Sequence, residues 1–341
     1  MARYSIGVDL GGTNLRIAAV DEQGTLLEKT TLDSRVSLGR DHVVTDMCEA
    51  VRRVTAKHQG SGTMIGIGIG VPGIIDMKTG MVHESPNLPD WADYPARDEI
   101  ERRLRARVIL ENDANSAALG EKWLGAARDF DDMAMLTLGT GVGGGIVLGG
   151  RIWHGMTGMA GELGHGTVDP EGRLCGCGNR GCLEAYASAT AVVKMAREAI
   201  ADGHAPGMAR AAASNNEFTA KTIYDLAIQG DEPARQIFRR VGQAIGIVLA
   251  NIVNALNLPI YVIGGGVASA WDAFAPSIFE QLRERSMVYA ATDPEPPASA
   301  GHGASAKVRS NGSTRTIVTR SLLGSDAGLY GAARLPWING N

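Results

Sequence analysis

Nowhere does the chain string together the roughly 18 to 20 apolar residues that a membrane-spanning helix requires. The strand-like run at Tyr4 also comes without a charged, apolar and small-residue leader before it. Neither a membrane nor a secreted protein is expected, and the cytoplasm is the expected compartment. Basic density is missing as well. The 33 Lys and Arg stand against 37 Asp and Glu, a net charge of -4, and no cluster of cations offers the footprint that a nucleic-acid backbone demands. Cysteine is scarce, four in 341 residues, and a reducing compartment leaves such residues as thiols or metal ligands. Three of the four fall within the eight positions 175–182, a density that favours metal.

What is present is an ordinary globular balance of 44% hydrophobic and 21% charged residues, with an excess of glycine at 45. A chain of this length exceeds the size at which one core stops growing, so two lobes with a cleft between them are expected. Short apolar runs at Ser5–Leu10 and Leu15–Val20 are separated by Gly11-Gly12 and read as strands. Val43, Val44, Met47, Val51 and Val54 recur at helical spacing. From Met64 to Val71 glycine alternates with Ile and Val, a pattern that calls for something to approach one strand face closely. A strand at 108–110 leads through Glu111-Asn112-Asp113 into an Ala-rich helix at 114–124, and 133–138 is a further strand. Helices are expected at 188–202, 219–229 and 233–256, then strands at 260–263 and 316–319. The Pro, Ala, Ser and Gly-rich stretch 291–313 reads as a surface loop. Strands alternating with helices along the whole chain define an α/β class.

Asp9, Gly11, Gly12, Thr13 and Asn14 set a carboxylate at a strand end before two side-chain-free positions, a hydroxyl and an amide. Such a turn lets backbone N–H groups approach phosphate while the acid meets magnesium through water, although a plain hairpin turn has the same composition. Residues 139–144 match GxGxxG, but the dinucleotide fingerprint needs a helix next. The following residues, closed by Gly149-Gly150, read instead as a hairpin, which favours a second phosphate-facing turn. Asp113 is either the cap of its helix or a base able to take a hydroxyl proton. His165, Cys175, Cys177 and Cys182 offer one imidazole and three thiolates, a closed tetrahedral set suited to structural zinc, against the alternative of buried thiols and a core histidine. Glu162 and Glu184 flank that loop and are candidate acceptors for sugar hydroxyls, or else surface charges.

Taken together these segments resemble the ROK family over nearly the whole chain, and more closely its bacterial glucokinase branch. The stretch Gly161–Glu184 carries the most specific part of the likeness. The resemblance implies a two-lobed actin-like ATPase and hexokinase fold of the ribonuclease H-like kind, with a zinc loop. Lobes are then expected at 1–112 and 113–324, a C-terminal helix near 325–341 packing back on the first. It further implies an ATP- and Mg²⁺-dependent hexose kinase acting on C6 of glucose, with an N-acetylmannosamine or N-acetylglucosamine kinase as the alternative and a non-catalytic sugar-binding regulator behind both. Carried over, Asp113 is the base; Asn87, Asn112, Asp113, Glu162, His165 and Glu184 are the sugar contacts. His165 touches zinc through one ring nitrogen and sugar through the other. Asp9, Gly11, Gly12 and Thr13 match the first phosphate motif, Thr140 and Gly141 the second, and Gly265 and Gly266 the adenosine motif. Family repressors carry a helix-turn-helix ahead of the first glycine turn, and with eight residues before Asp9 none is expected here. The partners expected are sugar, ATP and further copies of the chain, as a dimer or tetramer. Two features depart from the family pattern, the length of the 291–313 stretch and Arg320-Ser321-Leu322.

Overall fold

The glycine alternation between residues 64 and 71 forms the middle of a sheet, and what approaches its glycine face is a helix from the far end of the chain. A Cβ on Gly68 would lie 1.9 Å from the Ala332 carbonyl oxygen, and one on Gly70 would lie 3.0 Å from Ser116 Oγ. Only glycine leaves room for backbone at such range. The computed structural model describes residues 2–58, 60, 62–85, 87–214, 217–292 and 315–338. The expected loop at 291–313 lies outside them except for its first two positions.

Along the chain come β1 (Ala2–Leu10), β2 (Asn14–Asp21), β3 (Leu26–Asp33), α1 (Arg40–His58), β4 (Gly62–Val71), β5 (Ile74–Asp76), β6 (Met81–Glu84), α2 (Ala96–Leu104), β7 (Val108–Asn112) and α3 (Asp113–Trp123). Next are β8 (Met133–Leu138), β9 (Val142–Leu148), β10 (Arg151–Ile152), α4 (Glu184–Ala187), α5 (Ala189–Ala201), α6 (Pro206–Ser214), α7 (Ala220–Ile228) and α8 (Glu232–Leu256). The chain closes with β11 (Ile260–Gly264), α9 (Trp271–Arg285), α10 (Met287–Thr292), β12 (Ile317–Arg320) and α11 (Ala327–Ile338). The α/β class is as expected. Helices α2, α4 and α6 and the β5–β6 hairpin have no counterpart in the sequence reading, and α9 and α10 carry no bounds there.

Two compact units emerge. The first comprises residues 1–135, 144–161 and 321–341, the second 136–143 and 162–320. In the first, a sheet runs β3-β2-β1-β4-β7, antiparallel through β3, β2 and β1 and parallel from β1 to β7. Ile6, Val8 and Leu10 of β1 are buried against α1, whose Val43, Val44, Met47, Val51 and Val54 form its inward face. Each such side chain contributes about 1.5–3 kcal/mol when fully buried. On the other face lies α11, crossing α3 so closely that a Cβ on Gly331 would fall 1.6 Å from the Ser116 carbonyl oxygen. This close crossing fixes where α3, and the residue at its first position, stands relative to the sheet.

A second sheet has the order β10-β9-β8-β11-β12, with β11 and β12 parallel. In the second unit α8 supplies the core: Ile237, Phe238, Val241, Ile245, Leu249 and Val253 are buried along it. Asp231 caps its start by accepting from Ala234 N, and Asn257 ends it in the left-handed region at φ 48°. Glycine again permits a tight crossing, since a Cβ on Gly242 would meet the Phe274 carbonyl oxygen of α9 at 2.1 Å. No helix among the described residues is long and apolar enough to cross a membrane.

Candidate active site and metal centre

β7 pairs in parallel with β4 until Val71 faces Asn112, and there the strand turns into α3. The cap of that helix is Asn112, whose side chain accepts from Ala114 N at 2.9 Å and Asn115 N at 3.2 Å. Its amide also donates to the Gly73 carbonyl at 3.1 Å. The reading of Asp113 as the cap therefore gives way: Asp113 is the first helical residue, where the N-terminal dipole favours a carboxylate, and its Oδ1 accepts from Ala114 N at 2.9 Å. Glu111, just before, is 1% exposed. One of its oxygens accepts from Asn112 N at 2.9 Å and Asn115 Nδ2 at 3.1 Å, and the other lies 2.7 Å from His154 Nε2. That hydrogen bond holds the His154 imidazole above its usual range. Neither Glu111 nor His154 figured among the sequence candidates; Glu111 was in the right motif, but nothing local signals His154.

The first glycine turn is built on the β1–β2 hairpin. Gly11 N donates to Asn14 O at 2.9 Å, while Ser34 takes the Thr13 carbonyl through its N–H and the Gly12 carbonyl through its Oγ, at 2.9 and 2.8 Å. Asn87 lies beside Gly12. Asp9 stands directly across the hairpin from Arg16, and Arg16 Nη1 donates to Asp9 Oδ2 at 2.9 Å. Burial raises the Asp9 carboxyl, and the Arg16 guanidinium opposes that rise. Arg16 was also missed, although a two-strand register drawn from residue 11 outward would have found it.

In the second unit the turn after β8 follows the same economy. The Gly139 carbonyl is taken by Ala189 N at 2.8 Å and the Thr140 carbonyl by Thr190 Oγ1 at 2.9 Å. After this turn comes β9, a strand and not a helix, which removes the dinucleotide reading. Gly265 follows β11 at φ 84°, where a Cβ would lie 2.5 Å from the Leu138 carbonyl oxygen, and Gly266 borders open space.

The metal-loop residues do converge. One ligand atom each from His165, Cys175, Cys177 and Cys182 lie within 4.8 Å of one another. Cys175 Sγ is 3.7 Å from His165 Nδ1, and Cys177 Sγ is 3.7 Å from Cys182 Sγ. Bonds of about 2.0–2.3 Å to a tetrahedral zinc span edges of about 3.5–3.8 Å, so the donor types and these two separations suit that ion. A knuckle holds them, with Cys175 N donating to Asn179 O at 2.8 Å and Gly178 N to Cys175 O at 3.0 Å. Burial pushes the Cys175 and Cys182 thiols up, while the Asn179 N–H lowers Cys177. His165 turns its other nitrogen, Nε2, toward Glu162 Oε2 at 3.8 Å. Glu184 opens α4 and is engaged on both oxygens: Oε2 accepts from Val142 N at 2.9 Å, and Oε1 lies 3.6 Å from Cys175 Sγ. It thereby joins the metal loop to the residue that follows the Thr140-Gly141 turn. Of the candidate residues, the first unit holds Asp9, Gly11–Asn14, Asn87, Asn112 and Asp113; the second holds Thr140, Gly141, Glu162, the metal set, Glu184, Gly265 and Gly266.

A strand end that leads into a capped helix bearing an acid, glycine turns after three strands and a converging Cys₃His set define an α/β protein whose loop has the donors for a metal ion. The ROK family model matches residues 5–335, and the chain belongs to the ROK family. It is similar to the glucokinase of Thermotoga maritima, 42% identical over 284 residues that make up 83% of this chain and 87% of that protein. Among solved structures it is similar to the ROK hexokinase from Thermus thermophilus, with a TM-score of 0.76 and 32% identity over 99% of both chains. A ROK family glucokinase from Streptomyces griseus, in complex with glucose and AMPPNP, matches with a TM-score of 0.75 and 33% identity, covering 97% of this chain and 98% of that one.

Proposed function

We propose that the chain is an ATP-dependent hexokinase that converts glucose and ATP to glucose 6-phosphate and ADP, with Asp113 as the base. One observation carries the reading: Asp113 occupies the first turn of α3 while Asn112 fills the cap, in a chain with 42% identity to a glucokinase. Asn112 fills the cap, so Asp113 stands at the head of the helix without being its capping residue. Asp113 takes the C6 hydroxyl proton as that oxygen attacks the γ-phosphorus and the bond to the β-phosphate oxygen breaks; base catalysis of this kind contributes about 10²- to 10⁴-fold. Asn87, Asn112, Glu162, His165 and Glu184 orient the sugar in this reading. The turns at Gly11–Asn14 and Thr140-Gly141 have carbonyls occupied internally, and apart from the Gly11 N–H, which closes the first turn, their N–H groups are the ones offered to phosphate oxygens in this reading. Gly265 and Gly266 take the adenosine side. Asp9, held by Arg16, is the group to meet magnesium, which when bound screens the phosphate charge. His165, Cys175, Cys177 and Cys182 would hold zinc in a structural role, ordering the loop that bears Glu162 and Glu184. The setting proposed is the cytoplasm, where thiolate ligands stay reduced, and the assembly proposed is a homo-oligomer.

The test is ADP release from Mg-ATP with glucose, mannose, fructose, allose, N-acetylglucosamine and N-acetylmannosamine, ranked by kcat/KM. Glucose leading upholds the proposal. An N-acetylated sugar leading moves the substrate to the amino sugars, and no turnover with any of them returns the sugar-binding regulator.

A further inference from the structure

Two positions before the proposed base lies a buried carboxylate. Glu111 is 1% exposed, and three donors meet on it: Asn112 N, Asn115 Nδ2 and His154 Nε2. Two of these come from the residues that bracket Asp113, one before it and one two positions after. The third comes from far along the chain, on the segment that leaves β10. That segment is pinned at both ends of its reach: Trp153 N donates to Ile146 O at 2.8 Å, and Ala160 N closes residues 154–160 by donating to His154 O at 3.2 Å. His154 thus turns inward onto Glu111, while Met156 in the same loop is 99% exposed.

We propose that His154 is a positioning residue for Asp113, acting through the Glu111 carboxylate; the inference rests on the reading of Asp113 as base. A carboxylate accepts at both oxygens only while ionised, and protonation would turn one acceptor into a donor. An ionised carboxylate this deeply buried needs a partner in good geometry. His154 supplies it at 2.7 Å, which keeps Glu111 available to hold Asn112 N and Asn115 Nδ2 together. The bend from β7 into α3 is then fixed on both sides of the base, and a displacement of about 1 Å at a reacting group costs on the order of 10²-fold.

The experiment compares wild type with His154→Leu and His154→Arg, the second restoring a charged donor. Steady-state constants are measured with glucose and ATP, alongside amide exchange of residues 109–116 in the ligand-free protein. Expected for His154→Leu are a kcat loss of about 10- to 100-fold, the range for groups that orient a site from behind, an unchanged KM for ATP, and faster exchange at Asn112–Asn115. His154→Arg should recover most of the kcat and the protection. Wild-type kcat in His154→Leu overturns the proposal, as does an equal loss in both variants with exchange at 112–115 unchanged, which would make His154 an anchor of the 154–160 loop alone. Failure of wild type to phosphorylate any sugar would sink the kinase reading, and the exchange data would still decide whether His154 holds the bend.

Discussion

Among the described residues no opposite charge pairs with Glu121, which is nevertheless fully buried at 0% exposure. Ser321 Oγ donates to it at 2.6 Å, Leu323 N at 2.8 Å, Leu322 N at 3.1 Å and Ala126 N at 2.7 Å. The carboxylate therefore ties the end of α3 to the segment that leads into α11, inside the first unit. This is the stretch Arg320-Ser321-Leu322, and its polar partner is a residue of the helix headed by Asp113. Glu121→Ala leaves three backbone N–H groups and one hydroxyl facing a void. Each bond to a charged group is worth about 1.5–3 kcal/mol, and four such losses are not additive, so a destabilisation of about 4–6 kcal/mol is expected. Against a typical total of about 5–15 kcal/mol that is severe. Glu121→Gln keeps one carbonyl acceptor but turns NH₂ toward N–H donors, and should cost about 2–4 kcal/mol. Urea unfolding at constant m-value measures both. A Glu121→Ala loss below about 1 kcal/mol would refute the reasoning, because it would mean that the orphaned donors find water without cost.

Asp113→Asn should lower kcat by about 10²- to 10⁴-fold while zinc content stays at the wild-type level; retained turnover removes the base assignment. Cys177→Ser should reduce bound zinc, read by metal analysis, and lower the melting temperature, because a structural ion contributes its binding free energy to folding; a metal-free protein of undiminished stability counts against the centre. The Glu111 hydrogen bond raises the His154 pKa above 6.5, so its stabilising effect is complete below the unfolded value and fades as pH climbs through the folded one. The difference in melting temperature between wild type and His154→Leu should accordingly shrink from pH 6 toward pH 9, and a difference that stays constant across this range would show that the charge is irrelevant.

What could be read from the sequence was whatever the chain carries locally. The strand at 5–10, the helix near 41–57, the hairpin after residue 144 and the long helix to 256 all declare their periodicity within a single window, and each is found. The Cys₃His set was legible for the same reason, three of its ligands lying in one short loop. α2 was not, because its core contribution is two residues, Ala96 and Ile100, in an otherwise charged segment. The glycines of β4 announced a close neighbour without saying which; the answer, α11, lies more than 250 residues away, and no local pattern encodes a partner at that distance.

The same division explains which parts of the site were missed. The residues proposed to face a substrate sit on turns and strand ends, where composition is unusual and therefore visible. Those that hold them in place are chosen by tertiary proximity: His154 for Glu111, Arg16 for Asp9, Ser321 for Glu121. In all three cases a buried or half-buried carboxylate is fixed by a donor from another element, and the carboxylate, never the donor, stands in or on the same helix as a candidate site motif. A buried carboxylate beside a glycine turn or the proposed base needs a donor, since burial without one costs several kcal/mol. From the sequence alone one can therefore predict that Asp9 and Glu111 have partners, but only the register of β1 on β2 and the return of the chain after β10 identify them as Arg16 and His154.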